Sequence, residues 1–219
     1  LVTDPSPVKE LTYDEMRELA YAGFSVLHDE ALSPAFQKEI PVNIRNTNNP
    51  KSKGTLVVKK RKNYAGMVTG IAGAKDFISI NVSKYLMNRE IGYVARLLNI
   101  LAEERIPFEH MPSGIDTVSI VLKQSNLSTE KEEIIVKRFT DELGIEKITI
   151  TRNLAIVMIV GEAMAHTVGV TARAATCLSR AGVNLEIINQ GASEISVMFG
   201  IREEYCDYAV KMLYNEFFK

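Results

Sequence analysis

The chain has no tryptophan and two cysteines among its 219 residues, and its 26 lysines and arginines are balanced by 27 aspartates and glutamates. Each shortage excludes something. Without an excess of positive charge there is no electrostatic footprint for nucleic acid or anionic lipid, so neither is expected as a partner. Cys177 and Cys206 stand without a Cys-x-x-Cys or Cys/His spacing and read as small apolar packing residues of a reducing compartment. No apolar run approaches the roughly 20 residues of a membrane span, and the first residues lack a charged segment followed by an apolar one. A soluble, cytoplasmic protein is the expectation. Also missing are a Gly-x-x-x-x-Gly-Lys-Ser/Thr phosphate loop, a nucleophile in a recognisable setting and paired metal ligands. His28, His110 and His166 are scattered singly and read as structural. Neither a catalytic residue nor a metal site is expected, and no cofactor in this stretch of chain. The chain opens on Leu1 rather than Met, which reads as a piece of a longer protein.

What is present is an internal repeat. Residues 91–122, "IGYVARLLNILAEERIPFEHMPSGIDTVSIVL", align without a gap on residues 168–199, "VGVTARAATCLSRAGVNLEIINQGASEISVMF". Gly92 meets Gly169, Arg96 meets Arg173, Glu109 meets Glu186 and Gly114 meets Gly191, and the apolar positions coincide as well. Duplication explains the match. Each copy reads as an apolar strand (78–82; 155–160), a helix with apolar positions three and four apart, then two strands joined by a short Gly turn. In the first copy a second helix follows, opened by a capping pattern at Thr129 and Glu132 and closed by Gly144, before a strand at 147–151. That completes β-α-β-β-α-β. The second copy ends after its second helix, at about 203–217, one strand short. The apolar "MVTGIAG" at 67–73 lies just before the first copy and is expected to cross over and supply that strand. The first copy is then inserted within the second.

The first 60 residues differ in kind. Thr12 and Glu15 form a capping box that opens a helix to about Ala22, and 29–38 reads as a second, shorter helix. Strands "PVNIRN" and "GTLVV" flank the turn-rich "TNNPKSKG". Two helices and two strands carry too little apolar surface for an independent domain, so this segment reads as the tail of a larger lobe. The expected division is 1–62 for that tail, 76–152 for the first repeat, and 63–75 plus 153–219 for the second.

Binding is the chemistry this pattern favours. The loop entering the first helix of a β-α-β unit presents free backbone N–H groups at a positive dipole end, which suits a carboxylate. In the first copy that loop is "MNREIGY", where Gly92 admits close approach. The following strand places Glu109 opposite Phe108, with Ser113 and Gly114 in the turn beyond. One end accepts an anion and the other repels one, a polarity that fits a small molecule with a carboxylate and a distant ammonium. The alternative for Glu109, and for Glu186, is a solvated charge on the strand face opposite its apolar neighbours. An RNA-binding module of the same topology needs aromatic residues on its central strands, and "HMPSGI" and "TVSIVL" offer none.

The nested β-α-β-β-α-β pair resembles the ACT domains of the aspartate kinase family. The amino-terminal piece agrees: "VTDP" is similar to the family's nucleotide segment, "LTYDEMRELAYAGFSVLH" to the helix that follows it, and "IPVNIRNTNNPKSKGTLV" to the strand and turn that end the kinase lobe. The resemblance implies an α+β fold of two ferredoxin-like ACT domains, the first inserted in the second, preceded by the C-terminal tail of an amino-acid-kinase α/β lobe. It makes Asp4, Ser25 and Val26 a remnant of the nucleotide site, although Ser6 and Ser25 stand where the family carries Arg and Lys. The intact enzymes use ATP with Mg²⁺ to phosphorylate the β-carboxylate of L-aspartate. The family's Lys-x-Gly-Gly segment is absent, so these residues alone are expected to lack that activity. End products inhibit the family through the ACT pair, in lysine-sensitive members at the interface of the first ACT units. Carried over, the effector site comprises the backbone around Met87, Arg89 and Gly92, Tyr93 beside it, Glu109 for a side-chain ammonium and Ser113 near the α-amino group. "PSGIDTVSI" resembles the lysine-regulated monofunctional enzymes, and threonine stays open as the effector. A homodimer through the ACT domains is implied. The rival reading is a dimerisation module that binds no ligand.

Overall fold

The computed structural model describes residues 1–3, 5–24, 26, 32–61 and 66–219. Two compact units emerge, Lys75–Leu154 and a second made of Leu1–Ala74 with Ala155–Lys219.

In the unit Leu1–Ala74 with Ala155–Lys219, a short strand β1 (Glu10–Thr12) leads directly into helix α1 (Tyr13–Tyr21). The Thr12 hydroxyl accepts from the Glu15 backbone N–H at 3.2 Å, and a Glu15 carboxylate oxygen accepts from the Thr12 N–H at 2.9 Å, so the capping box is in place. The second helix is shorter than its sequence pattern: α2 is Ser33–Gln37, and 29–31 lie outside the described residues. Strands β2 (Val42–Ile44) and β3 (Thr55–Val58) pair antiparallel, and β1 joins β3 in parallel to give the order β1-β3-β2. The sequence pattern did not show β1, because three residues running into a helix cap leave no period to read.

Strand β4 (Gly70–Ser83) is one continuous element where two separate strands were expected, and so is β6 (Lys147–Val160). The N–H of Thr69 donates to the Val160 carbonyl, and the N–H of Glu146 donates to the Ser83 carbonyl, so the two strands run antiparallel, each lending one half to each unit. The glycines of "MVTGIAG" have a steric reason. A Cβ on Gly70 meets Leu19 of α1, and one on Gly73, three residues on and thus on the opposite face, meets Val210 and Cys206. Both faces of β4 here are covered by helices.

In Lys75–Leu154, helix α3 (Tyr93–Glu103) follows β4, then β5 (Thr117–Lys123) pairs antiparallel with β4 from Phe77↔Lys123 to Ser83↔Thr117, and α4 (Thr129–Leu143) leads to β6. The N-cap of α4 is Ser128, whose hydroxyl accepts from the Lys131 N–H, one residue before the expected Thr129; Gly144 closes the helix in the left-handed region, φ 63°. Ile78, Ile80 and Val82, Val118, Ile120 and Leu122, and Leu97, Leu101, Ile135 and Phe139 form one core.

The second repeat completes its sheet the same way. Helix α5 (Val170–Arg180), strands β7 (Ile187–Gln190) and β8 (Ser196–Arg202), and helix α6 (Cys206–Phe218) follow β6. Counted along the sheet, β5-β4-β6-β8-β7, the segment ahead of the first repeat is the edge partner that the second lacks. Both cysteines are buried in this core, and burial pushes the Cys177 thiol up. No helix among the described residues is long and apolar enough to cross a membrane.

Candidate functional site

In the first repeat the chain leaves β4 at Ser83, makes a 3-10 turn at Met87–Arg89, and enters α3 through Gly92 at φ 72°. A Cβ on Gly92 meets nothing within 4 Å, so the glycine is there for its left-handed backbone, and the space beside it is open. No side chain caps α3; the Tyr93 N–H donates to the Glu90 carbonyl, which leaves the Val94 and Ala95 N–H groups for an anion. The loop is cinched by charge. Lys84 Nζ stands 2.6 Å from Glu90, Arg96 pairs with the other Glu90 oxygen, and Arg96 also donates to the Ile91 carbonyl at 3.2 Å. The Lys84 hydrogen bond, with the Arg96 charge, holds the Glu90 carboxyl below the usual carboxylate range. Ile91 at the loop tip is 96% exposed.

The other expected residues divide into two groups. Ser113 bridges to Val118, next to the rung that joins Thr117 to Ser83, so its turn and the 84–92 loop share one end of the sheet. The Lys84 N–H donating to the Asp116 carbonyl ties them directly. Glu109 lies lower down: its N–H donates to the Val121 carbonyl, and Val121 faces Ser79, four residues before the end of β4. That is roughly 13 Å along the strand at about 3.3 Å per residue. Within one chain the structure therefore joins Met87, Arg89, Gly92 and Ser113 at the loop end and sets Glu109 apart.

Two expectations need correction. Residues 106–113 form no regular strand, only the isolated bridges His110↔Val121 and Ser113↔Val118, because Pro112 has no N–H to give the ladder. The expected alternation fails with it: Phe108 is 43% exposed while Glu109 is half-buried. Tyr93 is 2% exposed and packs in the core with Met87. Its hydroxyl has no hydrogen-bond partner among the described residues, and burial raises its pKa. Of the nucleotide-site remnant, Val26 is exposed, and Asp4 and Ser25 lie outside the described residues, as does His28. No cluster of three or more His, Cys, Asp or Glu suited to a metal occurs among the described residues.

The second repeat holds a cleft of about 860 Å³ at the corresponding place, lined by Met164, His166, Thr167, Gly169, Thr171 and Gln190 among others. A neighbouring one of about 480 Å³ touches Glu162, His166 and Ile195. Gly169 repeats Gly92 with φ 87° and the same open space. The gap-free repeat was the available signal for this cleft, since it sets Met164 on Met87 and Gly169 on Gly92. The carboxylate counterpart Glu186 accepts from Arg202 at 3.1 Å and from Asn184 at 3.4 Å.

Comparison with known proteins agrees with this architecture. The model of the ACT domain matches residues 157–217. Aspartokinase 3 of Bacillus subtilis is 54% identical over 217 residues, 99% of this chain and 48% of that protein. The structure of Clostridium acetobutylicum aspartate kinase superposes with a TM-score of 0.88 at 38% identity, over 98% of this chain and 49% of that one. E. coli aspartokinase III in complex with lysine and aspartate has the same fold, with a TM-score of 0.78 at 24% identity over 98% of this chain and 47% of that one. The chain spans about half the length of the relatives it matches. Over nearly all its residues, this chain matches the C-terminal regulatory part of the aspartate kinases, with ACT domains of ferredoxin-like α+β fold.

Proposed function

We propose that this chain binds an end-product amino acid, L-lysine before threonine, and thereby inhibits an intact cytoplasmic enzyme that phosphorylates L-aspartate to 4-phospho-L-aspartate with ATP and Mg²⁺. The observation that carries this reading is the uncapped start of α3 behind Gly92, open to a carboxylate and tied to the Ser113 turn. The lysine complex of E. coli aspartokinase III, built on the same fold, supports it.

Glu109 is set apart from the loop within one chain, so the ammonium is read across a homodimer, where Glu109 of one copy faces the loop of the other. Exposed Tyr85, Ile91 and Ile115 surround the loop end and supply apolar area for that contact. The same three residues favour the second reading, a dimerisation module without ligand. L-lysine at a hundredfold excess over its dissociation constant stabilises a binding-competent fold by about 2.7 kcal/mol. A thermal unfolding midpoint that rises with lysine and not with norleucine supports the effector reading; a dimer by light scattering with no such rise leaves the module alone standing.

A further inference from the structure

Glu15 does more than cap α1. Its carboxylate is fully buried and collects donors from four parts of the chain. Oε2 accepts from the Thr12 N–H at 2.9 Å and from Arg61 at 3.3 Å. Oε1 accepts from Arg61 at 3.0 Å, from the Thr69 hydroxyl at 2.6 Å and from the backbone N–H of Glu162 at 2.9 Å. Arg61 also donates to Thr69 at 2.7 Å. Such charge-assisted bonds in a buried place are the strong kind.

The Glu162 N–H is the first of the 3-10 turn Glu162–His166, whose residues line both clefts of the second repeat. Immediately before it, the Gly161 N–H donates to the Ile195 carbonyl on the opposite wall of the smaller cleft. A Cβ at Gly161 would collide with the Met67 carbonyl oxygen, so the two backbones cross here too closely for any residue but glycine.

We infer that Glu15 is a joint that makes α1 and the cleft-forming turn 161–167 open and close as one cooperative unit. A small molecule that orders the turn then also orders α1, a consequence that rests on the cleft being a binding site. The joint itself does not, and it is tested without any added amino acid.

Glu162→Pro deletes only the donor N–H of the backbone, at a first-turn position that accepts proline and after a Gly161 already extended, ψ 127°. Glu162→Ala removes the side chain and keeps that N–H. Native-state hydrogen exchange across a denaturant series is read on the intact chain at the interior amides of α1 and at the Met164 and Thr167 amides, with α3 as internal reference. In the parent and in Glu162→Ala the turn and α1 share one opening, with the same denaturant dependence. In Glu162→Pro the turn exchanges at least tenfold faster while α1 and α3 keep their rates. Separate openings in the parent, or turn and α1 amides that stay within threefold of each other in Glu162→Pro, overturn the inference. If Glu162→Pro does not fold, Thr69→Val, which removes a different bond to the same oxygen, must separate the two openings, and its failure to do so counts equally against the joint.

Discussion

In the first repeat Lys84 and Arg96 both hold Glu90 within the loop, whereas in the second Thr167 stands in place of Glu90 and Arg173, the counterpart of Arg96, reaches away to Glu216 at 2.5 Å. The turns differ in step. Ser113 faces Val118, but its counterpart Gln190 faces Val197, two residues beyond the position that corresponds to Val118. An even shift leaves every side chain on its original face while lengthening the turn. The longer turn contributes Gln190, Gly191, Ala192 and Glu194 to the lining of the 860 Å³ cleft. A second contrast concerns the duplicated glutamates: Arg202 engages Glu186, and the residue corresponding to Arg202 is Ser125, which donates instead to Asp76 at 2.7 Å. Duplication has kept the path of the chain and redistributed the charge.

The largest effect expected is on lysine binding. Glu109→Gln removes a charge-assisted bond, about 1.5–3 kcal/mol, so affinity falls more than tenfold by calorimetry. Glu186→Gln leaves it within twofold, because the proposed effector site belongs to the first repeat; equal losses in both variants erase the functional distinction between the repeats. Next come the two left-handed helix starts. Gly92→Ala and Gly169→Ala each meet open space and pay only the backbone penalty, about 1–2 kcal/mol, read from denaturant midpoints. Similar values bear out the shared path, and a far larger loss at one site shows that its loop is constrained by something the other lacks.

A smaller change of opposite sign is expected at Tyr93. Its buried hydroxyl is unpartnered among the described residues, and Val170 takes the corresponding place without a polar atom. Tyr93→Phe should therefore stabilise the fold by about 1 kcal/mol and leave lysine affinity unchanged; a weaker lysine complex would return the hydroxyl to the binding site. Smallest is Arg202→Ser, which gives the second repeat the residue of the first. Exposed pairs contribute about 0–1 kcal/mol, so the unfolding midpoint should barely move. The informative readout is calorimetric stoichiometry, where a second lysine site appearing in this variant sharpens the case that Arg202 silences Glu186.

The order of elements, the capping box at Thr12 and Glu15 and the crossover at 67–73 were legible because each is a local pattern or a repeat. The broken strand at 106–113 was legible in principle from Pro112, whose missing N–H outweighs the apolar period that Ile106 and Phe108 start. Ser128 and Thr129 are both competent caps, and only backbone geometry chooses between them. Tyr93 shares the period of the buried face of α3, which placed it in the core as readily as beside a ligand. The second task of Glu15 was not legible, since its partners Arg61, Thr69 and Glu162 lie 46 to 147 residues away and carry no mark of the meeting.

The two 14-residue strands β4 and β6 also lead to an expectation for the order of folding. The second repeat must bring residues before 75 together with residues after 154, a closure over some 80 positions whose entropic cost grows with the logarithm of the loop. The first repeat is contiguous and has no such closure to make. Once its halves of β4 and β6 pair, the remaining halves emerge as neighbouring strands in register, and the long closure has become a short one. The first repeat is therefore expected to form first, with transition-state φ-values higher in its core than in that of the second. Cut out of the chain, the second repeat needs a tight turn from Ala74 to Ala155 in its place, because that short connection is what the folded insert supplies to it.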